Sequence, residues 1–350
     1  MRLSGRRVLR PDGSLGPGTV VIDGARITAV EDAPAGSGPD VTLAPGLIDV
    51  QVNGAAARDA WSATADDLDE LGAWLARRGT TGWCPTLTSR PLDAYATWLS
   101  SHDRPARGEI GLHLEGPFLS RPGAHTPAAL RPEVDRAWLA GLPARVRMVT
   151  LAPELPGALE AITELTARGV VVALGHTDAT YDDALHAAEA GARLVTHVFN
   201  AMTPLGHRQP GLPGAALTLD ALTPAVIGDG VHVHPAILGL VLRTGTAVLV
   251  SDSVAWERGG LVTDGGAARL ADGTLAGSMI TLAGAVKIAV EQAGVALGTA
   301  LTAATATPAA LLRCADRGRL VAGARADVVE LDGGLQPCRV WVGGNLLGPG

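Results

Sequence analysis

The chain has 350 residues, of which 47% are hydrophobic and 18% charged, and its formal net charge is −7. It has no unbroken apolar run of about 18 residues, which argues against a membrane span, and no Lys/Arg cluster, which argues against nucleic acid as a partner. The three cysteines, Cys84, Cys314 and Cys338, are widely spaced, which argues against a disulfide framework and a cysteine zinc site. The basic N-terminal segment lacks the apolar stretch of a signal peptide, so we expect a cytoplasmic protein.

Both ends of the chain are rich in short predicted strands. Asp23-Gly24, a dipeptide that favours a tight hairpin turn, separates two apolar runs near the N terminus. A similar pair of runs flanks Asp332-Gly333-Gly334 near the C terminus. We therefore predict a small β-sandwich domain built from residues 1–44 and 318–350, and a larger domain at residues 45–317.

The middle of the chain alternates predicted strands and helices. In residues 170–198, an apolar strand precedes Thr180 and Asp183, which are spaced as a helix capping box, and the helix ends at Gly191 before a new strand. The same pattern recurs at residues 64–79. No GxGxxG follows a strand and no GxxxxGK[ST] occurs, which argues against a dinucleotide-binding or P-loop fold. The alternation predicts an α/β protein with a (β/α)8 TIM-type barrel, and a doubly wound sheet is the alternative.

Several predicted strands end in an ionisable or strongly polar residue. These residues are Gln51 and Asn53, His113 and Glu115, His176, His197, Asp229 with His232, and Asp252. Each of them alone has a structural explanation, since an Asp after a strand often caps a helix and a lone histidine often makes a structural hydrogen bond. In a TIM barrel, however, the C-terminal ends of all strands meet at one mouth, where catalysis takes place. We therefore predict that these side chains form one functional site.

Glu115, His176 and His197 are the predicted metal ligands. Two histidines and one carboxylate form a catalytic zinc set, because three protein ligands leave one coordination position for water. Gln51 and Asn53 are neutral amides and therefore poorer zinc ligands. We predict one divalent metal ion per chain, with zinc favoured and iron, cobalt and manganese as alternatives.

The strand ends belong to longer motifs. These are Ala44-Pro45-Gly46-Leu47-Ile48-Asp49, His113-Leu114-Glu115-Gly116-Pro117, Gly123-Ala124-His125, Gly175-His176-Thr177, Thr196-His197-Val198-Phe199-Asn200-Ala201-Met202, Asp229-Gly230-Val231-His232, Ser251-Asp252 and Leu275-Ala276-Gly277-Ser278. With these motifs the chain resembles the N-acetylglucosamine-6-phosphate deacetylases of the amidohydrolase superfamily over essentially its full length. The segments around Glu115 and His197 are specific to that family, whereas Pro-Gly-Leu-Ile-Asp marks only the superfamily.

The resemblance implies metal-dependent hydrolysis of the acetamide of N-acetyl-D-glucosamine 6-phosphate to glucosamine 6-phosphate and acetate. It agrees with the ligand set above, implies Asp252 as the general base and acid, and implies His125 as the group that polarises the acetyl carbonyl. The predicted substrate contacts are Gln51, Asn53, Ala124, Asn200, Ala201, Arg208, Asp229, His232, Leu275, Ala276 and Gly277. In relatives the equivalents of Arg208 and His232 reach in from a second subunit, so the resemblance implies a homodimer.

Some positions depart from the family pattern and leave the exact sugar open. They are Arg121-Pro122 before His125, Gln209 after Arg208, and Ser253 after Asp252. Because the sequence does not resolve recognition of the C4 hydroxyl, N-acetylgalactosamine 6-phosphate or another amide is the alternative substrate. A catalytically silent barrel that binds a sugar phosphate is the non-enzyme alternative. It is disfavoured because the three ligands and the base are all present.

Overall fold

The structure is a computed structural model that describes residues 1–348. Its strands are β1 (Arg2–Leu9), β2 (Leu15–Asp23), β3 (Arg26–Asp32), β4 (Thr42–Pro45), β5 (Leu47–Val52), β6 (Gly54–Ala55), β7 (Arg58–Asp59), β8 (Thr80–Leu87), β9 (Leu112–Glu115), β10 (Val146–Leu151), β11 (Val171–Leu174), β12 (Leu194–Val195), β13 (Thr223–Ile227), β14 (Val248–Val250), β15 (Val262–Asp264), β16 (Ala267–Arg269), β17 (Leu275–Ser278), β18 (Val328–Leu331), β19 (Pro337–Val342) and β20 (Asn345–Leu346).

The helices connect and cover the barrel strands. They are α1 (Ala65–Arg77), α2 (Leu92–Ser101), α3 (Arg136–Ala140), α4 (Ala158–Ala167), α5 (Tyr181–Ala190), α6 (Gly211–Thr218), α7 (Pro235–Leu242), α8 (Leu282–Glu291), α9 (Leu297–Ala303) and α10 (Ala306–Leu311). Within the described residues, no helix is both long and apolar enough to span a membrane.

The predicted barrel is confirmed. Within residues 1–348, eight parallel strands form one sheet in the order β14-β13-β12-β11-β10-β9-β8-β5. The two outer strands meet where Val52 forms a parallel bridge with Ser253, and the backbone N–H of Asp252 donates to the carbonyl of Gln51 at 3.1 Å. The sheet is therefore closed at its mouth, beside two of the predicted site residues.

The two predicted capping boxes are also present. Thr64 begins α1 and Thr180 begins α5, and each hydroxyl accepts from the backbone N–H of the aspartate three residues later, while that carboxylate accepts from the cap N–H. Gly191 ends α5 with φ 120°, a conformation that glycine adopts without strain. The β11-α5-β12 unit pairs its strands in parallel, as predicted.

The alternation of side chains along the strands explains where the site lies. On β9, Leu112 and Leu114 pack outward into the core that the helices cover, so His113 and Glu115 face the barrel interior. A second buried apolar cluster fills the interior below the mouth, with Val50, Met148 and Val250 among its members. His113 and Glu115 therefore face the barrel interior at the C-terminal end of β9, where the barrel mouth lies.

The terminal strands form a separate mixed sheet in the order β20-β19-β18-β4-β1-β2-β3. The first hairpin turns at Gly24-Ala25, one residue later than predicted, because Asp23 already pairs with Arg26. This sheet confirms a small β domain made from both chain ends. Its predicted boundaries, residues 1–44 and 318–350, remain a prediction. A short sheet of β15, β16 and β17 lies beside the barrel mouth and contributes to its cavity.

Candidate metal centre

Three predicted site residues have strained backbones at the ends of their strands. His176, His197 and Asp252 have φ of 50°, 27° and 48°, in the left-handed region that residues with a Cβ rarely adopt. Such conformations cost roughly 1–3 kcal/mol each and concentrate at functional sites. Each of these residues follows a short barrel strand, and the turn directs its side chain over the mouth.

Glu115, His176 and His197 bring their ligating atoms to one point. Glu115 Oε1 lies 3.0 Å from His197 Nε2 and 3.4 Å from His176 Nε2, and the two imidazole nitrogens are 3.0 Å apart. All three side chains are buried, and their ligating atoms lie within 4.8 Å of one another. Burial alone would raise the pKa of Glu115, but the neighbouring imidazoles of His125, His176 and His197 hold it well below its usual range.

The hydrogen bonds of the histidines fit a metal at this point. His176 Nδ1 donates to the backbone carbonyl of Arg121 at 2.9 Å, so its Nε2 carries a lone pair. That lone pair lies 3.0 Å from His197 Nε2 and 3.4 Å from Glu115 Oε1, so a cation between these three atoms would be within reach of all of them. Two imidazoles and one carboxylate suit zinc and similar divalent ions, so these residues fit the predicted ion.

The first barrel strand and the residue after it supply two amides to this centre. Gln51 is buried, and its Nε2 donates to Glu115 Oε1 at 3.0 Å. Asn53 Nδ2 donates to Asp252 Oδ1 at 2.7 Å. Burial, and then the negative charge of Glu115, raise the pKa of Asp252 to about 8. A carboxyl whose pKa is close to neutral is suited to take up and return a proton.

His125 presents a hydrogen-bond donor to the centre. Its Nδ1 accepts from the backbone N–H of Ser89 at 3.1 Å and lies 2.8 Å from the Ser89 hydroxyl. Because a backbone N–H can only donate, the proton of the neutral ring is on Nε2. Nε2 lies 3.6 Å from Glu115 Oε2, beside the ligand cluster.

A cavity of about 470 Å³ opens over these groups. Most of the predicted site residues line it: Asn53, Glu115, Ala124, His125, His176, His197, Asn200, Ala201, His232, Asp252, Leu275, Ala276 and Gly277. The other predicted contacts, Gln51, Asp229 and Arg208, are not part of this lining. Gln51 lies behind Glu115, and Arg208 is exposed in the segment before α6.

Asp229 supports His232 from behind. Its Oδ2 lies 2.6 Å from His232 Nδ1, and its Oδ1 accepts from the backbone N–H groups of Val231 and His232. Burial would raise the pKa of Asp229, but the bond from His232 lowers it below the ordinary value. The aspartate is therefore a charged anchor that fixes the imidazole of His232 at the cavity wall.

Sequence reasoning missed several residues of the site. Ser89 holds His125, and Glu154 accepts from the Ser120 and Thr177 hydroxyls and from the backbone N–H of Asp178. Arg90 and Arg258 lie at the cavity rim. Glu154 follows β10 and is a strand-end carboxylate like those that were predicted, so the same signal could have found it. Ser89 and the two arginines carry no such signal.

The match to a known family covers most of the chain. A family model described as "Amidohydrolase family" matches residues 42–347. The chain belongs to the amidohydrolase family. The matched range includes all eight barrel strands and the cluster of Glu115, His176 and His197.

Amidohydrolases similar to this chain include several enzymes that act on sugar phosphates. N-acetylgalactosamine-6-phosphate deacetylase of Escherichia coli O157:H7 is 35% identical, with 98% of each chain covered. N-acetylglucosamine-6-phosphate deacetylase of Bos taurus is 40% identical over 87% of this chain and 83% of its own.

Solved structures of such deacetylases share the fold of this amidohydrolase. The Mycobacterium smegmatis N-acetyl-D-glucosamine-6-phosphate deacetylase, solved as a mutant in complex with N-acetyl-D-glucosamine-6-phosphate, has a TM-score of 0.90 and 34% identity, covering 99% of this chain and 98% of its own. The Thermotoga maritima enzyme has a TM-score of 0.91 and 30% identity, covering 99% of each chain.

Proposed function

We propose that this amidohydrolase hydrolyses the acetamide of N-acetyl-D-glucosamine 6-phosphate, releasing acetate and glucosamine 6-phosphate. The observation that carries the proposal is the convergence of Glu115, His176 and His197 in one cavity with the carboxyl of Asp252. Deacetylases of this substrate are similar in sequence and fold over nearly the whole chain. We further propose one zinc ion per chain. Metal analysis of the purified protein separates zinc from iron, cobalt and manganese.

The proposed reaction assigns one task to each residue of the cavity. A divalent ion held by Glu115, His176 and His197 would polarise the acetyl carbonyl and lower the pKa of water. Asp252 takes a proton from the water whose oxygen forms a bond to the acetyl carbon. His125 donates from Nε2 to the carbonyl oxygen as negative charge develops there. The carbon–nitrogen bond then breaks, and Asp252 returns the proton to the departing amine.

The cavity rim fits an anionic substrate even though the whole chain is acidic. Arg90, Arg258 and His232 supply positive or hydrogen-bonding groups around the opening. A phosphate carries a charge of about −1.5 to −2 at neutral pH, so these groups favour it.

We also propose that Arg208 serves the cavity of a second subunit in a homodimer. Arg208 is exposed and is not part of the lining of its own chain's cavity. Its planar guanidinium is suited to bind a phosphate through two hydrogen bonds. His232 differs from Arg208, because it lines the cavity of its own chain.

The second candidate substrate is the C4 epimer, N-acetylgalactosamine 6-phosphate. It is favoured by the similarity to the Escherichia coli deacetylase of that sugar, which covers 98% of both chains. The proposed catalytic residues act on the acetamide group, so they do not determine which orientation of the C4 hydroxyl the cavity accepts.

Acetate release from the two epimers, assayed side by side, tests the proposal. We expect kcat/KM to be higher for the gluco epimer. A higher kcat/KM for the galacto epimer would show that N-acetylgalactosamine 6-phosphate is the preferred substrate of the same reaction. The absence of acetate from both sugars, with metal bound, would overturn the proposed function.

A further inference from the structure

The amides of Gln51 and Asn53 each bond to a different carboxylate of the site. Gln51 Nε2 donates to Glu115 Oε1 at 3.0 Å, and Asn53 Nδ2 donates to Asp252 Oδ1 at 2.7 Å. The two residues are two positions apart: Gln51 lies on β5, and Asn53 directly follows the end of that strand. One amide therefore serves the ligand cluster, and the other serves the carboxyl that handles the proton.

Gln51 is placed to orient Glu115. It is only 2% exposed, and the oxygen to which it donates is the one that faces both His176 Nε2 and His197 Nε2. An amide N–H that takes one lone pair of this oxygen fixes the direction of the other. Hydrogen bonds of this kind to ligating carboxylates are worth about 10- to 100-fold in metal affinity or activity.

Asn53 is placed to fix Asp252. Its backbone N–H donates to the Ser253 carbonyl at 2.9 Å, and the Asp252 N–H donates to the Gln51 carbonyl at 3.1 Å, so both strand ends are held together. On this rigid base the side-chain bond engages Oδ1 of Asp252. Oδ2 is then the oxygen that is left for proton transfer.

We propose that Gln51 and Asn53 are positioning residues with separate tasks: Gln51 orients Glu115 for the metal, and Asn53 presents Oδ2 of Asp252 to the reacting water. The proposal rests on the proposed function for the Asn53 task only. It differs from the sequence prediction that both amides contact the substrate. Asn53 Oδ1 is buried without a hydrogen-bond partner in residues 1–348, so a substrate contact there is the competing role.

The test compares Gln51→Leu and Asn53→Leu, which keep similar size but cannot donate. Gln336→Ala, an exposed glutamine in the turn before β19, is the control. Metal affinity is measured without substrate, by competition with a chelator. kcat and KM for acetate release are measured at saturating metal. If either Leu variant does not fold, Gln51→Ala and Asn53→Ala replace them.

We expect Gln51→Leu to weaken metal binding about 10- to 100-fold, and Asn53→Leu to lower kcat by a similar factor with KM and metal affinity changed less than about threefold. A raised KM in Asn53→Leu without a loss of kcat would show a substrate contact and overturn its task. Metal affinity unchanged in Gln51→Leu, or the same losses in both variants, would overturn the division of tasks. If the wild type binds metal but releases no acetate, the proposed function fails and the Asn53 task with it, whereas the chelator result still decides the Gln51 task.

Discussion

At the scale of single residues, the site contains conformations and a buried charge that lower the stability of the folded protein, and other interactions must offset this loss. His176, His197 and Asp252 have left-handed φ, and Glu115 is a buried carboxylate. An isolated buried charge is strongly unfavourable unless it is paired or bound to a metal. The neighbouring histidines and the proposed cation supply that compensation.

Asp252→Asn tests the proton-transfer role. The amide keeps the shape of the side chain but cannot take a proton, so we expect kcat for acetate release to fall about 10²- to 10⁴-fold. Metal content should remain at the wild-type level, because Asp252 is not among the clustered ligands. Measuring kcat and metal stoichiometry on the same preparations checks both statements. Activity within about threefold of the wild type would refute the role.

Asp49 provides a prediction on pH and stability. It lies on β5, accepts from the backbone N–H groups of Gln51 and Ser251, and burial raises its pKa to about 6. The folded state therefore binds the Asp49 proton more tightly than the unfolded state does. The protonated carboxyl contributes to the free energy of unfolding in full below the unfolded pKa of about 4, and this contribution is lost as the pH rises through about 6.

Asp49→Asn removes this titration while its amide oxygen can still accept both bonds. The variant should be more stable than the wild type at pH 8, by on the order of 3 kcal/mol, and the difference should vanish near pH 4. Thermal unfolding midpoints of both proteins across this range give the comparison. A difference that does not vary with pH would contradict the raised pKa.

At the scale of elements, hydrogen bonds link the loops that follow neighbouring barrel strands. Glu154, after β10, bonds to Ser120 in the segment after β9 and to Thr177 and Asp178 after β11. Ser120 and Arg121 in turn donate from their backbone N–H groups to the carbonyl of His176. One carboxylate thus ties together the loops that carry His125 and His176.

Glu154→Ala should leave the hydroxyls of Ser120 and Thr177 and the backbone N–H of Asp178 without their acceptor. We expect a lower free energy of unfolding, by on the order of 3 kcal/mol, and weaker metal binding because the His176 loop loosens. Glu133→Ala, an exposed carboxylate elsewhere, is the matched control. Thermal melting with and without metal measures both effects. If metal affinity in Glu154→Ala equals that of the control, the loops do not depend on this residue.

The elements show which parts of the structure could be predicted from sequence. The capping boxes at Thr64 and Thr180 are local patterns, and the structure has both. The clustering of Glu115, His176 and His197 could be predicted because the barrel brings all strand ends to one mouth. The hydrogen bonds of Ser89 to His125 and of Gln51 to Glu115 could not be predicted, because they join distant segments through side-chain directions that a strand pattern does not specify. The position of Arg208 outside its own cavity likewise depends on tertiary structure.

At the scale of the whole molecule, the proposed dimer makes Arg208 part of another chain's site. Arg208→Ala should raise KM about 10- to 100-fold, which corresponds to the loss of charged hydrogen bonds to phosphate. A mixture of Arg208→Ala and Asp252→Asn subunits, exchanged by mild unfolding and refolding, should then regain activity. In mixed dimers, the Arg208→Ala chain keeps its base and receives an arginine from its partner, so about a quarter of all sites are complete.

The regained activity shows whether Arg208 acts in the cavity of its own chain or in that of the partner subunit. If Arg208 served its own cavity, no site in a mixed dimer would be complete, and activity would not exceed the sum of the separate variants. A control mixture of each variant with itself, treated in the same way, corrects for losses during refolding.

The most direct measurement is a metal titration of the chelator-treated protein with zinc, following acetate release from N-acetyl-D-glucosamine 6-phosphate. The account predicts that activity rises linearly with added zinc and saturates at one ion per chain. A Glu115→Gln variant should bind zinc more weakly than the wild type and should gain no activity. Saturation at two ions per chain, or full acetate release from the protein without metal, would contradict the single centre formed by Glu115, His176 and His197.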